Sequence, residues 1–420
     1  MRSISPHPRY RLYTGPASYA LPLRRLFSYA HSDRFTAGLE SAVCGLFDAV
    51  SAVCVPMART GLYFALRELI RPGQSVVMSP LTIKDVVNMV LLAGAVPLFA
   101  DIRRSSCAID PDQAESLIDR RTGAVLITHL HGETAGAQAF RDLCSRRGVP
   151  LIEDAAQAFG AEEGNRKLGT IGDVGVYSFG FYKNLNTWQG GMVVAQDQTL
   201  IARIRHRMCR LPPLPRWGFL ALALHGLATD LATWPPIFST FTHPAIRYCY
   251  LNNVAAVNRM LDPEHKARRI DSMPGEYLHR MSGPQAELGL RLLSCLDRDT
   301  AVRIAHAELY RKSLAGMDGL ITPRRHSGRS HIYTYYPIQY AERMELLRWA
   351  QRRRRDFAAQ HLHNCADLPE FKEFYRDCPN ARAAARELIL LPTYPRYPVE
   401  EIRRNIATIQ EFLQKVRSVP

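Results

Sequence analysis

Two nearby segments of the chain decide the fold: LIEDAAQAFG at residues 151–160 and DVGVYSFGFYKNLNTWQGG at residues 173–191. Each begins with a short apolar run of the kind that forms a buried strand, and each run ends in polar residues. Asp154 follows the first run, and Ser178 and Lys183 follow the second. Because ligands of α/β proteins bind at the carboxyl ends of parallel strands, the sequence predicts a functional site built from these residues.

The segments before and between this pair alternate between helix-like and strand-like patterns. TGLYFALREL at 60–69 has apolar residues at helical spacing, whereas SVVMSP at 75–80, VPLFADI at 96–102 and GAVLIT at 123–128 are short apolar runs. Nearly all-apolar strands that alternate with helices indicate a parallel sheet covered on both faces. The predicted fold class is therefore α/β, with a mainly parallel central sheet and helices on both faces.

The pattern also predicts how the chain is divided. The large α/β domain is interrupted after about residue 205 by a Pro- and aromatic-rich stretch, and a continuous helix is predicted over residues 283–314. The predicted parts are an N-terminal arm at 1–35, the large domain at 36–205, an apolar insertion at 206–270, and a linking helix with a small C-terminal α+β domain at 271–420.

The chemistry of Lys183 and Asp154 points to one class of cofactor. A lysine at a strand end inside a pocket is the residue type that forms a Schiff base with an aldehyde. A buried carboxylate is the group that keeps a pyridine nitrogen protonated. Finding both, 29 residues apart and after different strands, predicts a site for pyridoxal 5'-phosphate (PLP).

The chain resembles the DegT–StrS family of sugar aminotransferases, which have the fold type I of PLP-dependent enzymes. The resemblance runs from about residue 35 to the C-terminus and is interrupted from about 210 to 265. Its most specific part is the pairing of EDAAQA with SFxxxKN. The matching segments are RTGLYFAL, AGAVPLFADI, THLHG, LIEDAAQAFGA, GDVGVYSFGFYKNL, GGMVV, RMSGPQAELGL and LPTYPRYPVEEI.

The resemblance implies a role for each matching position. Lys183 would hold the cofactor as an aldimine and then act as general base, and Asp154 would bind the pyridinium nitrogen. Gln157 would lie near the ring hydroxyl, and Ser178 would bind the phosphate. The turn at Arg59 and Thr60 opens a helix whose N–H groups and dipole would face the same phosphate.

Four further positions match the family less specifically. Asn184 follows the lysine and either contacts the cofactor or only shapes the loop. His129 matches a family histidine, although a core histidine is an equal alternative. Arg280 lies in a segment that reaches the neighbouring subunit in relatives, and His331 aligns with a histidine near the sugar.

The sequence departs from the family pattern at three positions. Ile83 stands where an aromatic residue commonly stacks on the cofactor ring, and an aliphatic side chain can cover a ring without an aromatic quadrupole. Leu278 replaces an asparagine that donates to the phosphate, and Gln189 replaces an acid. These departures bear on the nucleotide-sugar substrate more than on the cofactor.

The insertion contains the apolar stretch WGFLALALHGLATDLATWPPIF at residues 217–238. Its uninterrupted apolar run is shorter than the roughly 20 residues that span a bilayer, so it is not expected to cross one. Two interpretations remain: a buried helical hairpin over the active-site mouth, or a surface in peripheral contact with a membrane. Arginines precede the stretch and favour the second.

Charge and cysteine content limit which binding partners and which cellular compartment are expected. The net charge is +15, but the basic runs RRHSGR and QRRRRDF have no zinc-finger or RNA-binding signature beside them, so nucleic acid is not an expected partner. The cysteines occur singly, and this favours a reducing cytoplasm over a disulfide framework. The N-terminus has no signal-peptide core. A cytoplasmic protein is expected, or one peripheral to the inner face of the membrane, with no predicted metal site.

The predicted function is transfer of an amino group from an amino acid to a keto sugar. The resemblance implies glutamate as the donor and a nucleotide-linked sugar as the acceptor. A homodimer with shared active sites is implied by the resemblance. Retention of Lys183 argues against the family's dehydratase branch, where histidine replaces it. Two alternatives stay open: the same chemistry on a hydrophobic or lipid-linked ketone or aldehyde, and a non-catalytic PLP-binding regulatory protein.

Overall fold

The computed structural model describes residues 5–12, 15–25, 33–254 and 268–417. The predicted arm at 1–35 and the predicted insertion at 206–270 therefore lie partly outside the described residues. The strands are β1 (Ser51–Val55), β2 (Ser75–Met78), β3 (Leu81–Thr82), β4 (Val96–Phe99), β5 (Thr122–Thr128), β6 (Leu151–Asp154), β7 (Glu162–Glu163), β8 (Arg166–Lys167), β9 (Val174–Ser178), β10 (Gly191–Ala195), β11 (Leu320–Ile321), β12 (Tyr336–Tyr340), β13 (Ala358–Ala359), β14 (His363–Asn364) and β15 (Leu388–Leu391).

Helices surround these strands and connect most of them. The α-helices are Pro16–Arg25, Asp33–Phe47, Ala58–Leu69, Lys84–Leu92, Pro111–Leu117, Ala137–Arg147, Gln198–Cys209, Arg216–Ala232, Pro235–Ile237, His243–Leu251, Gly283–Leu293, Leu296–Leu314, Arg343–Arg352, Pro379–Glu387 and Val399–Arg417. A π-helical turn covers Phe238–Thr242, and 3₁₀ turns cover Leu130–Gly132, Gly275–Tyr277, Cys365–Asp367 and Pro369–Phe374.

The large sheet has the strand order β1-β10-β9-β6-β5-β2-β4. The run from β9 through β6, β5 and β2 to β4 is parallel, and β10 is antiparallel to both of its neighbours. The register places Asp154 beside Thr128 on one side and Val176 on the other. The predicted α/β fold with a mainly parallel central sheet is confirmed.

Both faces of this sheet are covered. Every residue of β5 and β6 is buried, and for this reason β5 and the first two residues of β6 appear in the sequence as apolar runs. On β9, Val176 belongs to the core on one face, beneath the helix Ala58–Leu69, whereas Tyr177 belongs to the core on the other face, beneath Asp33–Phe47. The parallel strand ends β6 and β9 therefore open onto a single edge of a well-packed sheet.

The predicted helix over 283–314 is two helices in the structure. Ser282 begins the first with a capping box to Gln285, and this helix ends at Leu293; the second begins at Leu296. The first helix packs against Asp33–Phe47 in the large domain, whereas the second packs against Val399–Arg417. The break at residues 294–295 lets the two parts cover different cores, a tertiary effect that the apolar spacing alone does not reveal.

The small C-terminal domain contains the sheet β11-β12-β15-β13. Its core is built around buried Tyr310 and Tyr336, whose rings stack with centroids 5.3 Å apart. Two predicted domain limits fall inside helices, since Asp33–Phe47 crosses residue 35 and Gln198–Cys209 crosses residue 205. The division into four parts stays a prediction.

The described part of the insertion is helical and is tied to the N-terminal arm. Arg11 forms a 3.1 Å ion pair with Asp230 on the helix Arg216–Ala232, and the Tyr19 hydroxyl also donates to Asp230. Within the described ranges, every helix is too short or too polar to pass through a lipid bilayer.

Candidate active site

A cavity of about 330 Å³ lies at the carboxyl ends of β6 and β9. Its wall combines these strand ends with the start of the helix Ala58–Leu69, the start of Lys84–Leu92, the loop between β9 and β10, and one side chain of Arg216–Ala232. The lining residues are Met57, Ala58, Arg59, Leu62, Ile83, Val86, Asp154, Ala156, Val176, Ser178, Gly180, Phe181, Lys183, Trp188, Gln189, Gly190 and Leu222.

Asp154 and Lys183 both line this cavity. Asp154 ends β6, and its Oδ1 accepts a 3.0 Å hydrogen bond from the backbone N–H of Ala156. Burial raises the pKa of Asp154, while that N–H and the Lys183 ammonium act in the opposite direction. The Asp154 carboxyl is therefore a buried hydrogen-bond acceptor. A second cation inside the cavity would stabilise its ionised form.

Lys183 lies in the loop after β9, and its backbone N–H donates to the carbonyl of Gly180 at 3.1 Å. Burial lowers the pKa of its ammonium; Asp154 opposes that shift, and the positive charge of Arg59 adds to it. A buried lysine with a lowered pKa has more of its amine in the neutral, nucleophilic form. The cavity therefore combines an amine nucleophile with a carboxylate.

The helix Ala58–Leu69 points its N-terminus at the same cavity. Met57 precedes it without a side-chain cap, and the N–H of Gly61 is bonded back to the Met57 carbonyl. The N–H groups of the first turn have no carbonyl within the helix to bind, and the helix dipole is positive there. A helix start that lines a cavity with Ala58 and Arg59 is suited to an anion such as phosphate.

The glycine pair of WQGG keeps this helix start close to the sheet. A Cβ on Gly191 would lie 2.6 Å from the carbonyl oxygen of Tyr177 and 2.8 Å from the backbone nitrogen of Ala58. Both are backbone atoms that cannot rotate away. Only glycine fits between β9 and the first amide of the helix.

Arg59 is held by two partners on other segments. Its guanidinium forms an ion pair with Asp85, in the first turn of the helix Lys84–Leu92, and donates to the Tyr277 hydroxyl at 2.8 Å. The Tyr277 hydroxyl in turn donates to Asp85 at 3.1 Å, and its ring lies 4.9 Å from the guanidinium. Asp85 and Tyr277 thus hold the Arg59 guanidinium in one orientation at the cavity wall.

Two more predicted residues, Ser178 and Ile83, line the cavity. Ser178 ends β9, and its hydroxyl accepts a long 3.5 Å contact from the N–H of Gly180. Ile83 immediately precedes the helix Lys84–Leu92 and contributes an aliphatic side chain to the cavity wall. The cavity thus brings together Arg59, Ile83, Asp154, Ser178 and Lys183.

Three predicted cofactor residues lie outside the lining of this cavity and have structural partners. The Thr60 hydroxyl is buried and donates to the carbonyl of Tyr277 at 3.1 Å. Gln157 accepts a 2.9 Å bond from the N–H of His131 through its side-chain oxygen, and Asn184 donates to the carbonyl of Phe159 at 3.3 Å. Their cofactor contacts stay predictions.

The three predicted substrate or partner-subunit residues also lie outside the cavity lining. His129 is fully buried: its Nε2 contacts Glu153 at 2.9 Å, and its Nδ1 accepts from the N–H of Ala135. With Nδ1 accepting from the backbone, Nε2 is the nitrogen that donates to the Glu153 carboxylate. His331 is buried, with its ring stacked on Tyr333 at 3.6 Å.

Arg280 lines a second cavity, of about 290 Å³, whose wall includes Val53 and Cys54 of β1. Its backbone pairs with the insertion, since its N–H donates to Pro212 and its carbonyl accepts from Leu214. Its guanidinium Nε is buried without a hydrogen-bond partner in the described structure. Within one chain Arg280 is therefore separate from Lys183.

The structure adds residues that the sequence reasoning missed. Trp188 is buried with a left-handed φ of 65° and closes one side of the cavity, where it packs against Phe219 of the insertion. Leu222 reaches the cavity from the same insertion helix. Trp188 lies between Lys183 and the glycine pair in the sequence, and this position could have identified it as a site residue. Nothing in the sequence indicates that Leu222 lines the cavity or that Tyr277 binds Arg59.

Comparison with known proteins gives consistent matches over nearly the whole chain. Residues 28–410 match the DegT/DnrJ/EryC1/StrS aminotransferase family. The spore coat polysaccharide biosynthesis protein SpsC of Bacillus subtilis (strain 168) is 27% identical over 386 residues, with 89% of this chain and 88% of that protein covered. GDP-perosamine synthase of Vibrio cholerae is 26% identical over 317 residues, with 75% and 71% covered.

The fold is shared with solved structures. The crystal structure of DesV from S. venezuelae in complex with a ketimine intermediate is 25% identical, with a TM-score of 0.73 and with 95% of this chain and 94% of that one covered. An aminotransferase from Psychrobacter cryohalolentis is 19% identical and has a TM-score of 0.77, with 99% of this chain and all of that chain covered.

Proposed function

We propose that this chain, which belongs to the DegT/DnrJ/EryC1/StrS aminotransferase family, transfers an amino group from an amino acid to a keto sugar with PLP as its cofactor. The observation that carries the proposal is the pairing of Lys183 with Asp154. The two side chains come from different strand ends, line one buried cavity and influence each other's pKa.

The residues of the cavity fit the chemical groups of PLP. The cofactor needs an amine for its aldehyde, an anion for its ring nitrogen, apolar cover for its ring and donors for its phosphate. Lys183 is the amine, Asp154 the anion and Ile83 the apolar cover. At the helix start no side chain caps the first turn, so its backbone N–H groups would serve as phosphate donors.

The phosphate site would be completed by side chains. Ser178 and Arg59 line the cavity beside the start of the helix and would add a hydroxyl and a positive charge. Thr60, Gln157 and Asn184 stay proposed contributors, since ring and phosphate contacts at these positions rest on the family resemblance.

When bound, the cofactor withdraws electrons from the α-carbon of the amino acid and so makes its proton acidic. Lys183 is the residue that would take this proton and return it, because its amine is buried and its ammonium has a lowered pKa. Asp154 would hold a proton on the ring nitrogen by its negative charge. The apolar walls, among them Leu62, Val86 and Leu222, keep water away from these groups.

Glutamate is the proposed donor, and a nucleotide-linked keto sugar is the proposed acceptor. The names of relatives such as GDP-perosamine synthase support the sugar class. A hydrophobic or lipid-linked ketone or aldehyde is a second candidate, because Leu222 of the largely apolar helix Arg216–Ala232 lines the cavity. A cytoplasmic homodimer is proposed as well, with Arg280 reaching the partner's site and His331 near the sugar. The burial of His129 against Glu153 supports the alternative of a core histidine at that position.

Absorption spectroscopy of the purified protein tests this function. The holoprotein should show the visible band of a lysine-bound cofactor; glutamate should bleach the band, and a keto acid should restore it. After borohydride reduction, the cofactor should be found on the peptide that contains Lys183. Lys183→Ala should abolish covalent attachment, whereas Lys312→Ala, which changes an exposed lysine, should leave it intact.

The second half-reaction distinguishes the acceptors. After bleaching, the band should return on adding a nucleotide-linked keto sugar, or on adding its lipid-linked counterpart in detergent. A band that no common amino donor bleaches would contradict the aminotransferase and favour a non-catalytic PLP-binding protein.

A further inference from the structure

The helix Arg216–Ala232 has two apolar faces with different surroundings. Its inner face packs on the protein through Phe219 and Ala223, which share a core cluster with Trp188. Its outer face carries Trp217, Leu224 and Leu231, spaced seven residues apart and 68%, 56% and 49% exposed. Residues seven apart lie on one side of a helix, so this exposed stripe is continuous along its length.

The exposed apolar surface continues past the end of this helix. We call it the outer apolar face and define it as Trp217, Leu224, Leu227, Leu231, Trp234, Phe241 and Tyr248, all exposed. Trp217 and Trp234 stand at the two ends of the helix. Seven exposed large apolar side chains within residues 217–248 mark an interaction site rather than ordinary surface scatter.

The charged residues around the outer apolar face are mostly basic. Asp230 is the sole acidic residue between positions 206 and 254. It faces the protein, where it pairs with Arg11 and accepts from Tyr19. Between positions 206 and 254 no carboxylate is therefore left to repel an anionic surface.

Arginines border the outer apolar face. Arg210 and Arg216 are exposed and precede Trp217 in the chain. At the other end, exposed Arg354 donates to the carbonyl of Ser239, two residues before Phe241, and Arg352 beside it is exposed as well. Apolar residues, terminal tryptophans and flanking arginines together match the boundary between lipid tails and anionic headgroups.

We propose that the outer apolar face docks the protein on an anionic lipid membrane. The helix has 17 residues, about 25 Å in length, and it would lie along the surface instead of crossing the roughly 30 Å hydrocarbon layer. Leu222 on the inner side of the same helix lines the catalytic cavity, so docking holds that cavity next to the headgroups. The docking itself does not depend on the proposed function.

Sedimentation of the full-length holoprotein with vesicles tests the docking. We expect binding to vesicles of phosphatidylcholine with phosphatidylglycerol, and at least tenfold weaker binding to phosphatidylcholine alone. The double variant Leu224→Gln/Leu231→Gln should bind at least tenfold more weakly. Arg210→Gln and Arg216→Gln should each weaken binding about fivefold, the effect of one basic residue near an anionic surface.

Tyr375→Gln is the matched control, because it removes an equally exposed apolar side chain outside the outer apolar face. Each variant should keep the visible cofactor band and its response to glutamate, measured without vesicles; that response reports separately on the proposed function. Wild-type protein that stays in the supernatant with both vesicle types would overturn the docking. It would also be overturned if Leu224→Gln/Leu231→Gln halved the molecular mass by light scattering, since the face would then join two copies of the chain.

Discussion

Glu153 and Asp154 are consecutive residues of β6 whose side chains lie on opposite faces of the sheet. Asp154 lines the cavity, whereas Glu153 is fully buried beneath the other face and accepts hydrogen bonds from His129 and from the N–H groups of Gly169, Ile171 and Gly172. Side chains alternate along a strand, so one acidic pair supplies two different functions. Glu153 ties the loop at 169–172 to the sheet, and Asp154 faces the chemistry.

The first prediction concerns the stability that Glu153 provides. Glu153→Gln should lower the free energy of unfolding by about 3 kcal/mol at pH 7, because an amide NH₂ would face backbone donors in a buried site. Urea denaturation measures the change. Glu276→Gln, at an exposed position, is the control and should have little effect. A variant as stable as the wild type would contradict the role of Glu153.

The same residue predicts a pH dependence. Burial alone would raise the pKa of Glu153, but His129 and the amides of Gly172 and Gly169 outweigh it, and the net shift is downward. A carboxyl whose pKa is lower in the folded protein stabilises that state above its unfolded pKa, and this contribution is lost as the pH falls through the folded value. The wild type should therefore lose stability below about pH 4.5 more steeply than Glu153→Gln.

Strand ends were the part of the site that the sequence could predict. Asp154, Ser178 and Lys183 follow apolar runs, and a parallel sheet brings such ends to one edge. Arg59 and Ile83 follow from the resemblance and also line the cavity. The fold class was predictable for the same reason, since strands buried on both faces appear as apolar runs.

Contacts between distant segments could not be predicted. Tyr277 lies 218 positions from Arg59, and no local pattern connects them. The break between residues 293 and 296 arises because two helices cover two different cores. Leu222 belongs to an apolar stretch whose sequence was compatible with a buried hairpin or with an exposed surface. In the structure, one face of this helix is buried and the other is exposed.

The second prediction concerns Asp154. Asp154→Asn should reduce the rate constant of the glutamate half-reaction on the order of 10²-fold, because an amide cannot supply the negative charge that favours a protonated ring nitrogen. Stopped-flow measurement of the glutamate half-reaction gives the rate. Asp154→Glu keeps the charge and should retain more activity than Asp154→Asn. Equal rates for both variants would show that charge at this position is unimportant.

The third prediction concerns Tyr277 as a positioning residue for Arg59. Tyr277→Phe removes the 2.8 Å bond to Arg59 and the 3.1 Å bond to Asp85 while keeping the ring beside the guanidinium. If the lost hydrogen bonds make the free energy of PLP binding less favourable by about 1 kcal/mol, the affinity for PLP should fall about fivefold. Fluorescence titration of the apoprotein measures the affinity, with Tyr375→Phe as control. Unchanged affinity would mean that Asp85 alone positions Arg59.

The fourth prediction concerns the glycine between the sheet and the helix start. In Gly191→Ala the new methyl group would lie 2.6 Å from the Tyr177 carbonyl oxygen and 2.8 Å from the Ala58 nitrogen, so the helix Ala58–Leu69 must move away from β9. Overpacking of this kind should cost about 1–3 kcal/mol of stability. Since the displaced amides belong to the proposed phosphate site, PLP affinity should fall as well, by about tenfold for each 1.4 kcal/mol of binding energy lost.

Thermal unfolding with and without PLP separates these two effects. The wild type should gain stability on adding the cofactor, and Gly191→Ala should start lower and gain less, because a weaker ligand stabilises less at the same concentration. Gly45→Ala is the matched control: a Cβ there has no neighbour within 4 Å, and alanine favours the helix in which it lies. If Gly191→Ala lost stability but gained as much from PLP as the wild type, the start of the helix Ala58–Leu69 would not be the phosphate site.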